Sequence, residues 1–182
     1  MRQLGDDLPL RVIVAHLGNG ASVTAVKGGK STDTSMGLTP TGGVIMGTRS
    51  GDLDPGVLVY LMREMKFDAA MVEDLVDHRS GLLGLSGVGS DTRRLHEASA
   101  SNPDARLAIE MCWYAVRIQV AGMISALDAV STLVFAGGDC SHSVHELTRL
   151  GATVVVRVAA LIHVNTWFVP RPILNAPRCL YH

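Results

Sequence analysis

Residues 11–26 have the sequence RVIVAHLGNGASVTAV, in which two apolar, β-branched runs flank a turn of glycine and asparagine. Short runs of this kind, bounded by glycine, are typical of β-strands. Asn19-Gly20 is a common pair in two-residue hairpin turns, so the stretch predicts an antiparallel hairpin. Another short strand is expected around Lys30–Thr34, after Gly28-Gly29. The first part of the chain therefore predicts a three-stranded antiparallel meander.

The turn after the first strand has the composition of a phosphate-binding loop. Gly18 and Gly20 have no Cβ, so an anion can approach the bare backbone N–H groups there. The amide of Asn19 and the ring of His16 offer further hydrogen-bonding groups. Each feature alone also has an ordinary explanation, because Asn-Gly turns are frequent in hairpins and a histidine at a strand end is usually a packed polar residue.

Two further glycine-rich blocks follow, DTSMG at residues 33–37 and GTRSGD at residues 47–52. In the second block, Arg49 carries a planar guanidinium that suits phosphate oxygens, although an arginine in a loop is usually only solvated. The presence of all three blocks within the first third of the chain favours a phosphate-handling site over three unrelated turns.

Helical patterns begin after these blocks. Asp54-Pro55 is a helix-start signal and predicts a helix that continues over Val57–Met65. A second helix is expected over residues 68–78, with Gly81 ending it.

Asn102-Pro103 repeats the start signal before a long helix over residues 104–127, and residues 132–136 predict a buried strand that ends at Gly137-Gly138. The predicted apolar face of the long helix consists of Leu107, Met111, Tyr114, Ile118 and Met123. Three strands, then helices, then a strand is the order of a ribonuclease-H-like half-domain of the α/β class.

The chain has 182 residues, 47% of them hydrophobic, which is enough for one domain with a core. Its formal net charge of −1 lacks the basic excess of a nucleic-acid-binding protein. Its three cysteines are odd in number and have no metal-type spacing, so a reduced, cytoplasmic setting is expected. The first residues are too polar for a signal segment. The apolar run Leu150–Val169 contains Arg157, which is costly in lipid. Neither a nucleic acid nor a membrane is an expected partner.

The glycine-rich blocks resemble those of a known family. HLGNGAS, DTSMG and GTRSGDLDPG are similar to the signature blocks of the acetate kinases and the related propionate kinases. Further matches lie at residues 80–87, at Ser90–Arg93 and at residues 133–138, so the resemblance covers about Leu10 to Gly138. It implies an α/β, ribonuclease-H-like half-domain of the superfamily of acetate and sugar kinases, Hsp70 and actin.

The resemblance also implies a chemistry. Acetate kinases reversibly transfer the γ-phosphoryl group of ATP to acetate or another short-chain carboxylate, with Mg²⁺, and form homodimers largely through this second domain. Arg49 matches the catalytic arginine that contacts the acyl phosphate and stabilises the transition state. The residues that match nucleotide-binding positions are His16, Leu17, Gly18, Asn19, Gly20, Asp91, Thr92, Arg93, Gly137 and Gly138.

The carboxylates have simpler explanations. Asp91 could serve only as the cap of a short helix over residues 92–98. Asp33, Asp52 and Asp54 could form an Mg²⁺ cluster, but Asp54 is better explained as a helix cap. No residue of this chain is therefore predicted to bind the metal, and the family's metal ligands are expected to be absent from it.

The chain departs from the family pattern in two places. The family has a first domain before the HLGNG block, with several catalytic residues, so residues 1–9 are interpreted as a truncated lead-in to a second domain at residues 10–138. After Gly138 the family continues with Ile-Gly-Glu, whereas this chain has Asp139-Cys140-Ser141. Residues 139–182 are interpreted as a divergent tail; a shifted reading frame is the hypothesis, and a genuine divergent terminus is the alternative.

These departures give two expectations for function. The first is an acetate-kinase-type phosphotransferase in an incomplete form with little or no turnover. The alternative is a non-catalytic half-domain that binds nucleotide or forms dimers.

Overall fold

The computed structural model describes residues 10–137 of the chain. Within them, four strands form one sheet, and five helices lie between the third and fourth strands. The strands are β1 (Arg11–Leu17), β2 (Ala21–Lys27), β3 (Lys30–Thr34) and β4 (Thr132–Ala136). The helices are α1 (Pro55–Arg63), α2 (Ala69–His78), α3 (Gly81–Ser86), α4 (Thr92–Ala98) and α5 (Pro103–Leu127).

The strand order in the sheet is β3-β2-β1-β4. The first three strands form the predicted antiparallel meander, in which Val14 lies opposite Thr24. β4 pairs with β1 in parallel, with Ala136 opposite His16. Both strands therefore end at the same edge of the sheet, which is also where the predicted phosphate-binding turn begins.

The core lies between α5 and one face of the sheet. Side chains alternate between the two faces of a strand, so every second residue of the sheet points towards α5. The sheet residues in this core include Ile13, Ala15, Val23, Ala25, Leu133 and Phe135. On the opposite face, Val12, Val26 and Val134 form a separate buried cluster.

The predicted apolar face of α5 is mostly wrong. Leu107, Met111, Tyr114 and Ile118 are 39–58% exposed, and of the five residues predicted only Met123 is buried. The face that packs into the core consists of Ala105, Ala108, Ile109, Trp113, Val116, Val120, Met123 and Leu127. Both stripes recur at helical spacing, so periodicity predicts the helix but does not decide which stripe faces the sheet.

The predicted helix starts are confirmed. The Asp54 carboxylate accepts a hydrogen bond from Gly56 N at 2.9 Å, and Asn102 Oδ1 accepts from Asp104 N at the same distance. The prediction for Gly81 is wrong, because α2 already ends at His78 and Gly81 begins α3. Gly81 has a positive φ of 61°, and a Cβ there would overlap the carbonyl oxygen of Met46.

Among the helices that the structure describes, α5 alone is long and apolar enough to cross a membrane. This is weak support for a span, because the core helix of a soluble protein passes the same test of length and composition. One side of α5 packs in the core, where Trp113 and Val116 lie among the sheet residues.

Candidate phosphate and nucleotide site

The site begins at the turn between β1 and β2. Gly18 N donates a hydrogen bond to Gly20 O at 3.2 Å, which closes the turn around Asn19. A Cβ on Gly18 would lie 3.3 Å from Nε2 of His16, so the histidine ring lies beside the turn. Gly18 and Asn19 are exposed, but the N–H of Gly18 is used within the turn rather than bare as predicted, so the exposed side chain of Asn19 is the group most accessible to a ligand.

Gly137 joins this turn from the neighbouring strand. It follows β4 directly, has a φ of 116°, and a Cβ there would overlap the carbonyl group of Leu17. The close approach requires glycine, because any side chain would separate the ends of β1 and β4. The structure thus places Gly137 beside Leu17, whereas Gly138 lies outside the described residues.

Arg49 approaches the turn from a second loop. A Cβ on Gly20 would lie 3.3 Å from Arg49 Nη1, so the guanidinium lies against this glycine. Gly47 N donates to Asn19 O at 3.4 Å and ties the loop to the turn. At the tip of the loop, Met46 N donates to Arg49 O at 3.2 Å, and Arg49 Nη1 lies 3.7 Å from Met46 Sδ.

The α2–α3 junction supports this loop through backbone hydrogen bonds. Leu82 N donates to Met46 O at 2.8 Å, and Ser80 N donates to Thr48 O at 3.0 Å. Ser50 N donates to Val76 O at 2.9 Å. The loop that carries Arg49 is therefore held from both sides rather than free in solvent.

A cleft of about 200 Å³ opens next to the turn. Two groups of residues predicted from the sequence line it, namely Leu17–Asn19 and Asp91–Arg93, whereas His16, Gly20 and Arg49 are not among the lining residues. Its apolar wall includes Ile109, Trp113 and Val116 of α5. The structure therefore brings together residues that lie more than 70 positions apart in the sequence.

The carboxylate of Asp91 caps α4. It accepts hydrogen bonds from Arg93 N at 2.9 Å and Arg94 N at 3.3 Å, so the predicted capping role is confirmed, and the residue also lines the cleft. The turn before it is shaped by Ser86, whose buried hydroxyl oxygen accepts from Val88 N at 3.1 Å.

The sequence did not indicate Ser90 or the α5 residues as cleft residues. Ser90 is adjacent to the matched segment at Asp91, so a glycine-rich connection ending in serine is the signal that could have included it. Trp113 and Ile109 carry no such signal, because only the packing of α5 places them there.

The three aspartates considered for Mg²⁺ have separate structural partners. Asp33 accepts from Thr34 N, Asp54 caps α1, and Asp52 accepts from Gly43 N and Gln119 Nε2. Over residues 10–137, no group of three or more His, Cys, Asp or Glu side chains could hold a metal ion. These residues do not fit an Mg²⁺ site by themselves.

The sequence pattern of the acetokinase family matches residues 2–156. The chain belongs to the acetokinase family. Its relatives include the acetate kinase of Brachyspira hyodysenteriae, 50% identical over 139 residues that make up 76% of this chain and 35% of the relative. Acetate kinase 2 of Neisseria meningitidis serogroup B is 48% identical over 139 residues, 75% of this chain and 35% of that protein.

Solved structures of acetokinase relatives have the same fold. Porphyromonas gingivalis acetate kinase is similar at a TM-score of 0.70 with 46% identity, over 71% of this chain and 33% of that one. A propionate kinase from Francisella tularensis is similar at a TM-score of 0.76 with 34% identity, over 87% of this chain and 48% of that one. The predicted α/β fold of the acetate and sugar kinase, Hsp70 and actin superfamily is confirmed.

The chain spans about a third of the length of the curated acetokinase relatives that it matches. The family match extends at both ends beyond residues 10–137. The lead-in at residues 1–9 and the tail at residues 139–182, with its apolar run Leu150–Val169, lie outside the described residues. The predicted domain division therefore stays a prediction.

Proposed function

We propose that the chain is the nucleotide-phosphate-binding part of an acetate-kinase-type phosphotransferase. The reaction is the reversible transfer of the γ-phosphoryl group of ATP to acetate or propionate, which gives ADP and an acyl phosphate. The observation that carries the proposal is the position of the Arg49 guanidinium against Gly20, beside a cleft rimmed by Asn19 and Asp91.

In this proposal, Arg49 stabilises the transferring phosphoryl group. Phosphoryl transfer requires little covalent work from the protein, so positioning and electrostatic stabilisation supply most of the rate. An arginine supplied to the transition state contributes about 10³- to 10⁵-fold in rate. The hydrogen bonds that fix the loop and the turn hold the guanidinium in place before substrate binds, which lowers the reorganisation needed in the reaction.

The cleft accepts the rest of the nucleotide. The exposed turn at Gly18 and Asn19 contacts phosphate, while Asp91, Thr92 and Arg93 line the adenosine end. The apolar wall at Trp113 and Ile109 gives a base a hydrophobic surface. Gly137, and Gly138 by family resemblance, keep the strand end open to the phosphates.

We infer that this chain alone binds nucleotide but forms little acyl phosphate. It spans about a third of its relatives, and the carboxylates described here do not provide a metal site for the Mg²⁺ that the reaction uses. We place the protein in the cytoplasm, with a short-chain carboxylate as the second substrate and with neither nucleic acid nor membrane as partner.

The test is titration calorimetry of the full chain with ADP. We expect Arg49→Ala to weaken binding about tenfold, because hydrogen bonds to a charged group are stronger than neutral ones. The matched control is Arg63→Ala, since Arg63 is an exposed arginine at the end of α1 that pairs with the adjacent Glu64. Equal affinities of the two variants, or no binding of ADP by the unaltered chain, would contradict the proposal.

A non-catalytic half-domain that self-associates remains the second candidate. It is favoured by the exposed stripe of Leu107, Met111, Tyr114 and Ile118 along α5. An assay of acetyl phosphate formation from ATP, Mg²⁺ and acetate separates the two candidates when it uses a longer protein that contains this chain. Only the enzyme form produces acetyl phosphate.

A further inference from the structure

We propose that Asp52 is a positioning residue that holds Arg49 in the geometry needed to bind phosphate. The inference rests on the proposed function, in which Arg49 is the phosphate-binding cation. Asp52 lies three residues after Arg49, at the base of the loop formed by residues 43–52, which we call the arginine loop.

Asp52 closes the arginine loop at its base. Gly43 N donates to Asp52 Oδ1 at 2.7 Å, and Asp52 N donates to Gly43 O at 2.9 Å. The two residues therefore pair through both backbone and side chain, which fixes the first and last residues of the loop relative to each other.

Two glycines beside this closure allow the backbone segments to pack closely. Gly51 has a φ of 72°, and a Cβ there would lie 2.8 Å from Gly43 O. Gly43 has a φ of 89°, and a Cβ there would lie 2.5 Å from Ser35 O. The backbone thus approaches the Asp52 closure as closely as glycine permits.

The second oxygen of the same carboxylate ties the loop to α5. Gln119 Nε2 donates to Asp52 Oδ2 at 3.0 Å, across 67 residues of sequence. Cys112 Sγ, two turns earlier on α5, lies 3.6 Å from Ile45 O of the loop. One carboxylate therefore links the loop closure to the helix that forms the wall of the cleft.

The closure at the base controls the tip because the loop is short. Arg49 is half-buried, with its guanidinium near Met46 and Gly20. When the base opens, the tip loses one of its supports, and the guanidinium spends more time in solvent and less time over the turn. Asp52 itself does not line the nucleotide cleft, so it acts through Arg49.

The experiment measures the reactivity of Arg49 directly. The full chain is treated with phenylglyoxal, and modification of each arginine is followed by mass spectrometry, with exposed Arg63 as the reference within the same sample. We expect Asp52→Ala to raise the Arg49 rate relative to Arg63 about fivefold, as loss of hydrogen bonds of ordinary net strength permits. The affinity for inorganic phosphate and for ADP should fall by about the same factor.

Two variants separate positioning from a simple loss of stability. Asp52→Asn should stay within about twofold of the unaltered chain, because its amide oxygen still accepts from Gly43 N and Gln119 can rotate its own amide. Asp54→Ala is the matched control, since it removes another exposed carboxylate that accepts a backbone N–H, but at the start of α1. It should lower the melting temperature without changing the Arg49 rate.

The inference is overturned if Asp52→Ala leaves Arg49 as unreactive towards phenylglyoxal as Asp54→Ala does. It is also overturned if Asp52→Asn raises the modification rate of Arg49 as much as Asp52→Ala does. If Asp52→Ala does not fold, Gln119→Ala on the half-buried side of α5 must still raise the Arg49 rate, or the inference fails. If the unaltered chain binds neither phosphate nor ADP while the reactivity changes are as expected, the proposed function fails and the positioning of Arg49 by Asp52 stands.

Discussion

At the scale of single residues, the site depends on glycines at points where two backbones meet. Gly20 leaves space for the guanidinium of Arg49, Gly81 lies under the carbonyl oxygens of Met46 and Arg49, and Gly137 presses against Leu17. Any other residue would place a Cβ in the space where these groups meet. Glycine at these positions is therefore a consequence of close packing between loops as well as of access for an anion.

Substitution of Gly137 tests this packing. We expect Gly137→Ala to destabilise the protein by about 2–4 kcal/mol, since it combines an unfavourable φ with an overlap at Leu17. Gly28→Ala is the control, because Gly28 has a positive φ of 56° and no atom within 4 Å of its missing Cβ. It should lower the free energy of unfolding by only about 1–2 kcal/mol, which is the cost of the positive φ without a steric overlap. Urea unfolding measures both, and equal losses would contradict the packing at the end of β4.

The residues that contact phosphate in this proposal could be predicted, whereas the residues that support them could not. His16, Asn19 and Arg49 lie in blocks whose composition indicates their chemistry. Ser86 and Asp52 act through hydrogen bonds to backbone groups of their neighbours, and an isolated serine or aspartate in a loop gives no sign of its partner. Such roles depend on the folded path of the loop.

At the scale of elements, α5 carries apolar residues on two sides. The side that faces the sheet combines Ala105 and Ala108 with Trp113, while the outer side carries Leu107 and Tyr114. Both sides carry large apolar residues at helical spacing, so the size of the side chains does not show which side is buried. For this reason the sequence predicted the helix and its capped start correctly but selected the wrong face.

Two isoleucines of α5 test the observed orientation. Ile109 is 6% exposed and Ile118 is 52% exposed, so the same substitution samples both sides of one helix. We expect Ile109→Ala to lower the free energy of unfolding by about 2–4 kcal/mol and Ile118→Ala to change it by less than about 0.5 kcal/mol. Chemical denaturation measures both values. A larger loss of unfolding free energy for Ile118→Ala than for Ile109→Ala would contradict the observed orientation and support the face predicted from the sequence.

At the scale of the whole molecule, the chain leaves considerable apolar surface uncovered within the described residues. Exposed side chains of α1, including Val59, Tyr60 and Met62, add to the outer stripe of α5. Surfaces of this kind in a protein of low net charge favour association. The proposed dimer and the proposed incompleteness of the chain both provide an explanation for them.

Size-exclusion chromatography with light scattering tests this surface. At high concentration we expect the full chain to elute with a mass above that of a monomer. The double variant Tyr114→Lys, Ile118→Lys should shift this mass towards the monomer, because charges on the stripe oppose its burial. The control places the same two charges at Thr39 and Ala100, which are neutral, exposed and outside the stripe. A stable monomer of the unaltered chain would contradict the expectation.

The central claim is that the HLGNG turn, Arg49 and the Asp91–Arg93 segment form one nucleotide site, and its most direct test is a ¹H–¹⁵N correlation spectrum of the full chain titrated with ADP. We predict shifts of the amides of Gly18, Asn19 and Gly20 together with those of Thr92 and Arg93, and shifts of the turn alone with inorganic phosphate. Perturbations confined to other regions, or none at saturating ADP, would contradict a nucleotide site at this edge of the sheet.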